Sequence, residues 1–284
     1  MPITVPDARR VALVTGASAG IGRACAERLA RAGWTVIGAS RRGTGGGSSA
    51  GGVAGHPDWT GIAVDVDDGA AVDAAVRDII EQHRRLDALV AAAGWGIAGA
   101  AEYTSIDEAK AQFETNFWGC VRVVQAVLPQ MRTQRAGRIV LMSSIGGVIG
   151  IPFQAYYSAS KFALEGFAES LAYEVAPFGI AVTLVQPGNI ATDFTASRRV
   201  AAAAGEDVVY AAAMTKAVAA MERDEANGAP ADQVAAAVQR VIEATRPPRR
   251  VSVGKAGERA GLIAKRLLPF RVFEAAAKGS LGVG

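Results

Sequence analysis

Val11-Ala12-Leu13-Val14-Thr15-Gly16-Ala17-Ser18-Ala19-Gly20-Ile21-Gly22 is the stretch that decides how this chain folds. Val11–Val14 is a short apolar run of the kind a strand buried on both faces requires. It ends in a glycine-spaced turn, and Ile21–Arg31 then has helical composition, with Gly33 placed as its stop. A strand, a glycine turn and a helix in that order bring backbone N–H groups at the helix start onto one point. The glycines allow a ligand to approach the backbone closely, which is the geometry that holds a pyrophosphate. A second reading of the same residues exists. Gly16-Ala17-Ser18-Ala19-Gly20 also spells G-x-S-x-G, the nucleophile elbow of serine hydrolases. Such an elbow needs a later acid and histidine, yet His56 and His83 are the only histidines and both lie in the first third. It would also occupy the first strand, with no earlier strand and loop to supply an oxyanion donor. The hydrolase reading is therefore set aside.

The same rhythm continues outward. Apolar runs at Trp34–Ala39, Ile62–Val66, Ala88–Ala92, Arg138–Met142, Ala181–Val185 and Arg250–Val253 read as strands. Helices are expected from about Asp68 to His83, from Ser105 onward (Ser105 and Glu108 form a capping-box spacing) and over Gln154–Ala176. The alternation predicts an α/β fold, a doubly wound (Rossmann) parallel sheet of about seven strands with helices on both faces. The expected organisation is a single domain over residues 1–284. Within it lie a nucleotide-binding and catalytic core over 8–253, a substrate lid over 193–229 and a basic amphipathic tail over 254–284. Gly43–Gly55 is rich in Gly and Ser, stands where a helix is expected, and is read as flexible.

The bulk numbers fit a globular, soluble chain. The 284 residues are half hydrophobic, with 20% charged, enough to bury a full core. Met1–Arg10 has no apolar core of a secretory signal and no run of 18 apolar residues exists, so a cytoplasmic location is expected. Cys25 and Cys120 stand far apart, and no metal-ligand spacing is present. The net charge of +3 is uneven. From Arg246 to Lys278 nine Lys/Arg face two Glu, a local +7, so the rest of the chain sums to −4. The basic stretch lacks the interleaved aromatics of a nucleic-acid binder. In Gly261–Phe273, Ile263 and Leu267 are four apart with Lys265 and Arg266 between, and Pro269 follows. Such a segment can pack on its own or a neighbouring subunit, shield a pocket, or dock on an anionic membrane; the packing role is favoured.

Tyr157-Ser158-Ala159-Ser160-Lys161 places a phenol and an ammonium four residues apart, on one face of a helix. A positive charge beside a phenol favours phenolate and lowers its pKa from about 10, giving a proton donor or acceptor suited to a carbonyl or alcohol oxygen. The cofactor choice is read at the end of strand two. An acid there would hold a ribose 2′-hydroxyl, whereas Ala39-Ser40-Arg41-Arg42 offers a guanidinium for a 2′-phosphate. NADP(H) is favoured, with NAD(H) as the alternative.

Taken in order, these residues resemble the short-chain dehydrogenase/reductase family. The motifs are Thr15-Gly-x-x-x-Gly-x-Gly22, Asp65-Val66 after strand three, Asn116 in the long helix, Ser144 thirteen residues before Tyr157, Tyr157-x-x-x-Lys161, and Pro187-Gly188 with Thr192. The resemblance implies that Tyr157 is the general acid or base. Lys161 tunes it and holds the nicotinamide ribose, Ser144 binds the substrate oxygen, and Asn116 holds a water that extends a proton relay. It also implies cofactor contacts at Gly16, Ser18, Ala19, Gly20, Ile21, Gly22, Arg41, Asp65, Val66, Gly94, Pro187, Gly188, Ile190 and Thr192. Two departures stand out. Ala91-Ala92-Ala93-Gly94 replaces an Asn-Asn-Ala-Gly pattern, removing side-chain anchors there. Ala19 stands where NADP-using members often carry a basic residue, which leaves the 2′-phosphate to Arg41. Trp95, Ser144, Ile145, Phe153, Gln154, Tyr157 and Phe194 are the expected substrate pocket, apolar enough for a hydrophobic ketone, aldehyde or secondary alcohol. A homodimer or homotetramer is implied as well. The competing reading is a non-catalytic, redox-responsive dinucleotide binder, which would have no need of Asn116, Ser144, Tyr157 and Lys161 together.

Overall fold

The computed structural model describes residues 9–43, 59–205 and 209–281. Seven parallel strands build the central sheet: β1 (Val11–Thr15), β2 (Thr35–Ser40), β3 (Trp59–Ala63), β4 (Ala88–Ala91), β5 (Gly137–Met142), β6 (Ile180–Pro187) and β7 (Arg250–Val253). Their spatial order is β3-β2-β1-β4-β5-β6-β7, so the winding reverses between β1 and β4. In open α/β sheets a ligand crevice forms at such a reversal, beyond the carboxyl ends of the strands.

Alternation along each strand feeds two cores. Val11, Leu13, Ile139 and Leu141 face one side, where they meet Val76 and Ile79 of α2 (Gly69–His83), Val123, Val124 and Val127 of α4 (Cys120–Gln134) and Leu164 and Leu171 of α5 (Ala155–Val175). Ala12, Val14, Val140 and Val185 face the other, against Cys25 and Leu29 of α1 (Gly20–Arg31) and Val234 and Val238 of α8 (Ala231–Glu243). With both faces covered, the central strands read as unbroken apolar runs. Truncating fully buried Leu89 or Leu141 to Ala would cost about 2–5 kcal/mol.

The fold class is as expected, and the edges differ in instructive ways. β3 begins at Trp59 and pairs Trp59 with Val36, three residues earlier than the expected Ile62. Val64 and Val66 are buried yet lie beyond the ladder, because an apolar loop and an apolar strand carry the same composition. The helix starting at Ser105 has its capping box, Ser105 N donating to Glu108 at 2.9 Å and Glu108 N to Ser105 Oγ at 3.3 Å. It is not continuous, however. α3 (Ile106–Phe113) passes into a π-helical turn over Glu114–Gly119 before α4. The Gly/Ser-rich stretch read as flexible falls, beyond Gly43, outside the described residues. The segment expected as a lid holds α6 (Phe194–Ser197) and α7 (Ala211–Ala226). Two short parallel ladders strap it, Ile97–Ala98 with Arg199–Val200 and Ile190–Ala191 with Ala229–Pro230. α9 (Ala256–Leu267) and α10 (Phe270–Leu281) follow β7, separated at Pro269. Among the described residues no helix is long and apolar enough to cross a membrane.

Candidate active site

One cleft of about 1240 Å³ runs along the carboxyl ends of the strands. Its first wall is the glycine turn. Gly16 has φ +69, and a methyl group there would sit 2.9 Å from the Ala92 carbonyl, so the turn after β1 lies hard against the turn after β4. A methyl group on Gly22 would meet the Gly16 carbonyl carbon at 2.7 Å, which seats the first turn of α1 directly on the loop. α1 opens without a side-chain cap and without an acid in its first turn. Its free N–H groups and positive dipole end therefore face the cleft. A loop that admits no side chain at Gly16 or Gly22, ending at an uncapped helix start, fits a pyrophosphate. Gly16, Ser18, Ala19, Gly20, Ile21 and Gly22 all line this part. Arg41 and Arg42 follow from β2, and Arg42 Nη2 donates to Ser18 Oγ at 3.2 Å. Asp65 and Val66 stand beside them; one Asp65 oxygen accepts from Asp67 N at 3.1 Å.

At the far end Pro187, Gly188, Ile190 and Thr192 line the cleft below the turn after β6. Glu258 of α9 braces that turn. Its carboxylate accepts from Asn189 N at 3.1 Å, Asn189 Nδ2 at 2.8 Å and Lys255 N at 2.8 Å. A side chain on Gly188 would collide with Glu258.

Between the two ends lie Ser144, Tyr157 and Lys161. Ser144 follows β5, and its Oγ accepts from Gly146 N at 3.0 Å. That leaves its own proton free to act on the Tyr157 hydroxyl, whose pKa it lowers. Burial raises the Tyr157 pKa above the ordinary phenol value; the Ser144 hydrogen bond and Arg198 oppose the rise, while Glu225 adds to it. Lys161 is buried and donates to the Met142 carbonyl at 2.8 Å, with Nζ 5.9 Å from the Tyr157 ring centre. Desolvation pulls its pKa down to about 8, against a small opposing effect of Cys120. The expectation that Lys161 lowers the phenol pKa is thus not met in the protein alone. Its ammonium turns to the strand end, and burial governs both groups.

Asn116 is 1% exposed and sits in the π turn. Its amide pairs with both polar groups of the Trp95 backbone, accepting from N at 3.0 Å and donating to O at 2.9 Å, and it reaches Ser160 Oγ at 3.3 Å. It holds the strand-four loop against α5, which keeps Gly94 beside the cleft. This pairing also supplies an anchor where the Ala91-Ala92-Ala93-Gly94 stretch has no asparagine side chains to offer.

Trp95, Ile145, Gln154 and Phe194, named above for the substrate pocket, line the cleft. The Phe194 ring lies 5.9 Å from that of Tyr157. Phe153 is a correction, since it does not line the cleft. Its backbone is left-handed (φ 57) and its carbonyl is taken by Gly99 N at 2.9 Å, a turn geometry that pattern reading does not reveal. Several contributors had no sequence signal. Arg42 and Glu258 act through partners 24 and 69 residues away. Arg198 is buried at the end of the α6 segment and pairs with Glu225 of α7, and both act electrostatically on Tyr157. α9 and α10 add Gly261, Ala264, Leu268 and Phe273 to the cleft wall. Among the described residues no group of three or more His, Cys, Asp or Glu could hold a metal ion.

The short chain dehydrogenase family model matches residues 10–203. The chain is 41% identical over 245 residues to a 3-ketodihydrosphingosine reductase of Bacteroides thetaiotaomicron, covering 86% of this chain and 88% of that one. It superposes on a short-chain dehydrogenase from Streptomyces avermitilis with a TM-score of 0.81 at 32% identity, covering 97% of this chain and 100% of that one. A short-chain dehydrogenase/reductase from Burkholderia phymatum solved with NAD gives 0.75 at 25% identity, covering 91% and 92%. Glycine cradle, buried Ser–Tyr–Lys cluster and sequence match agree: the chain belongs to the short-chain dehydrogenase/reductase family of oxidoreductases and is built to use a nicotinamide dinucleotide.

Proposed function

We propose that the protein is an NADP(H)-dependent oxidoreductase that interconverts a long-chain hydrophobic ketone and its secondary alcohol. The observation that carries this reading is buried Tyr157, lining the same cleft as Ser144, Lys161 and the glycine cradle. The bound cofactor supplies or accepts the hydride. In reduction the raised pKa keeps Tyr157 protonated, so its hydroxyl can give a proton to the carbonyl oxygen as negative charge develops there. The Ser144 hydroxyl stabilises the same oxygen, already oriented by its bond from Gly146 N. Lys161, held out of water with its ammonium on the Met142 carbonyl, lies beside the cleft as a candidate anchor for the cofactor. Arg41 and Arg42, with no carboxylate at the end of β2, support NADP(H) over NAD(H).

A large apolar wall supports a long-chain substrate. Ile145, Ile149, Ile151, Phe194, Leu268 and Phe273 line the cleft, and the reductase at 41% identity is named for 3-ketodihydrosphingosine. The test is oxidation of NADPH, and of NADH in parallel, across ketones of increasing chain length, with Tyr157→Phe as control. We expect Tyr157→Phe to lower turnover by ~10²–10⁴ while NADPH still binds. Near-normal turnover in that variant, or no turnover with any ketone despite binding, would sink the proposal.

A further inference from the structure

The last two helices present an apolar ridge to solvent. Ile263 and Leu267 of α9 are 61% and 74% exposed, and Phe270 and Val272 of α10 are 72% and 53% exposed. A contiguous apolar cluster of this kind on a surface marks an interaction site. The opposite stripe of the same segment faces the protein. Gly261 lies against Ile149, Lys265 donates to the Val148 carbonyl and sits 5.1 Å over the Phe162 ring, and Ala264 lines the cleft. Leu268 belongs to both surfaces, being 42% exposed and part of the cleft wall. Leu268, next in sequence to Leu267, thus links the ridge to the cleft wall.

Charge identifies what the ridge meets. Arg259, Arg266 and Arg271 are exposed beside it, while Glu258, the acid of α9, is committed inward to Asn189 and Lys255. An apolar stripe flanked by cations, on a helix otherwise anchored to its protein, is the pattern of a segment that lies in a membrane interface. We propose that α9 and the start of α10 dock on an anionic lipid bilayer. Ile263, Leu267 and Phe270 enter the acyl boundary, the arginines meet the headgroups, and the mouth of the cleft at Leu268 opens onto the lipid. A protein partner would more commonly face a rim of mixed sign.

The test is co-sedimentation of the full chain with vesicles of phosphatidylglycerol and phosphatidylcholine, compared with vesicles of phosphatidylcholine alone. Binding is read without turnover, so its outcome is independent of the proposed reaction. Wild type should sediment with the anionic vesicles, less so as salt rises. The triple variant Ile263→Ser, Leu267→Ser, Phe270→Ser, at three positions that do not line the cleft, should lose binding on the order of 100-fold. Arg266→Glu with Arg271→Glu should weaken it by roughly 10-fold or more, with unfolding midpoints of both variants showing that the fold is kept. Wild type remaining in the supernatant, or the triple variant sedimenting as wild type does, overturns the proposal. So does a triple variant whose assembly mass by light scattering falls to a fraction of wild type without any vesicle binding, which would make the ridge a contact between copies.

Discussion

Lys161 offers the sharpest test of how the site is built. Its ammonium lies out of water, and its pKa is pulled from 10.5 to about 8, chiefly by desolvation. At roughly 1.4 kcal/mol for each tenfold change, holding that charge costs the native state about 3 kcal/mol. The native pKa lies below the unfolded one, so between about pH 8 and 10.5 the unfolded chain keeps a proton the native state has released. Stability contributed by this group therefore rises with pH across that window. Integrated from pH 8 to 9.5, the gain is about 1.5 kcal/mol. Lys161→Met occupies similar space and does not titrate, so its stability lacks this gain. The lost bond to the Met142 carbonyl shifts the variant by a similar amount at both pH values and drops out of the difference. Urea unfolding of wild type and variant at the two pH values, without cofactor, measures it directly. If the two proteins move in parallel, Lys161 is hydrated in the native state, and the claim that its ammonium is held out of water fails.

Other outcomes follow from the same geometry. Gly22→Ala must push α1 off the glycine loop, at about 1–3 kcal/mol of overpacking, and should weaken cofactor binding by ~10-fold or more; unchanged affinity by tryptophan fluorescence would refute the cradle. Arg42→Ala removes a charged donor from the edge of β2. It should cut kcat/KM with NADPH by roughly 10-fold and spare NADH, whereas equal losses would take Arg42 out of cofactor choice. Glu225→Gln removes a charge that raises the Tyr157 pKa and leaves Arg198, which lowers it, without its counter-ion. Reduction needs the protonated phenol, so the alkaline limb of its pH–rate profile should move to lower pH; a stationary limb would mean the pair does not act on Tyr157.

The strands were readable because a parallel sheet covered on both faces demands unbroken apolar runs, as in Val11–Thr15 and Gly137–Met142. Nearby pairs were readable for a similar reason, since Tyr157 and Lys161 share a helix face by spacing alone. Spacing does not aim a four-carbon stem, however, and the ammonium went to Met142. Bonds across the fold left no trace in the sequence. Ser18 with Arg42, Asn189 with Glu258, and Arg198 with Glu225 each join elements whose approach is set by the sheet order. Phe153 was misplaced because a left-handed non-glycine residue looks like any other apolar position until the backbone is seen.

The π turn at Glu114–Gly119 has a genetic corollary. A regular helix advances about 100° per residue. Removing Phe117, Trp118 or Gly119 would leave Thr115 and Asn116 encoded, yet it would rotate Asn116 relative to Val123 and Val127. Either the amide would leave the Trp95 backbone or the α4 valines would leave the core. The locus should therefore accept exchanges such as Phe117→Leu far more readily than the in-frame loss of a single codon. Single deletions of Phe117, Trp118 and Gly119, set beside substitutions at the same positions, would show it as a loss of activity confined to the deletions.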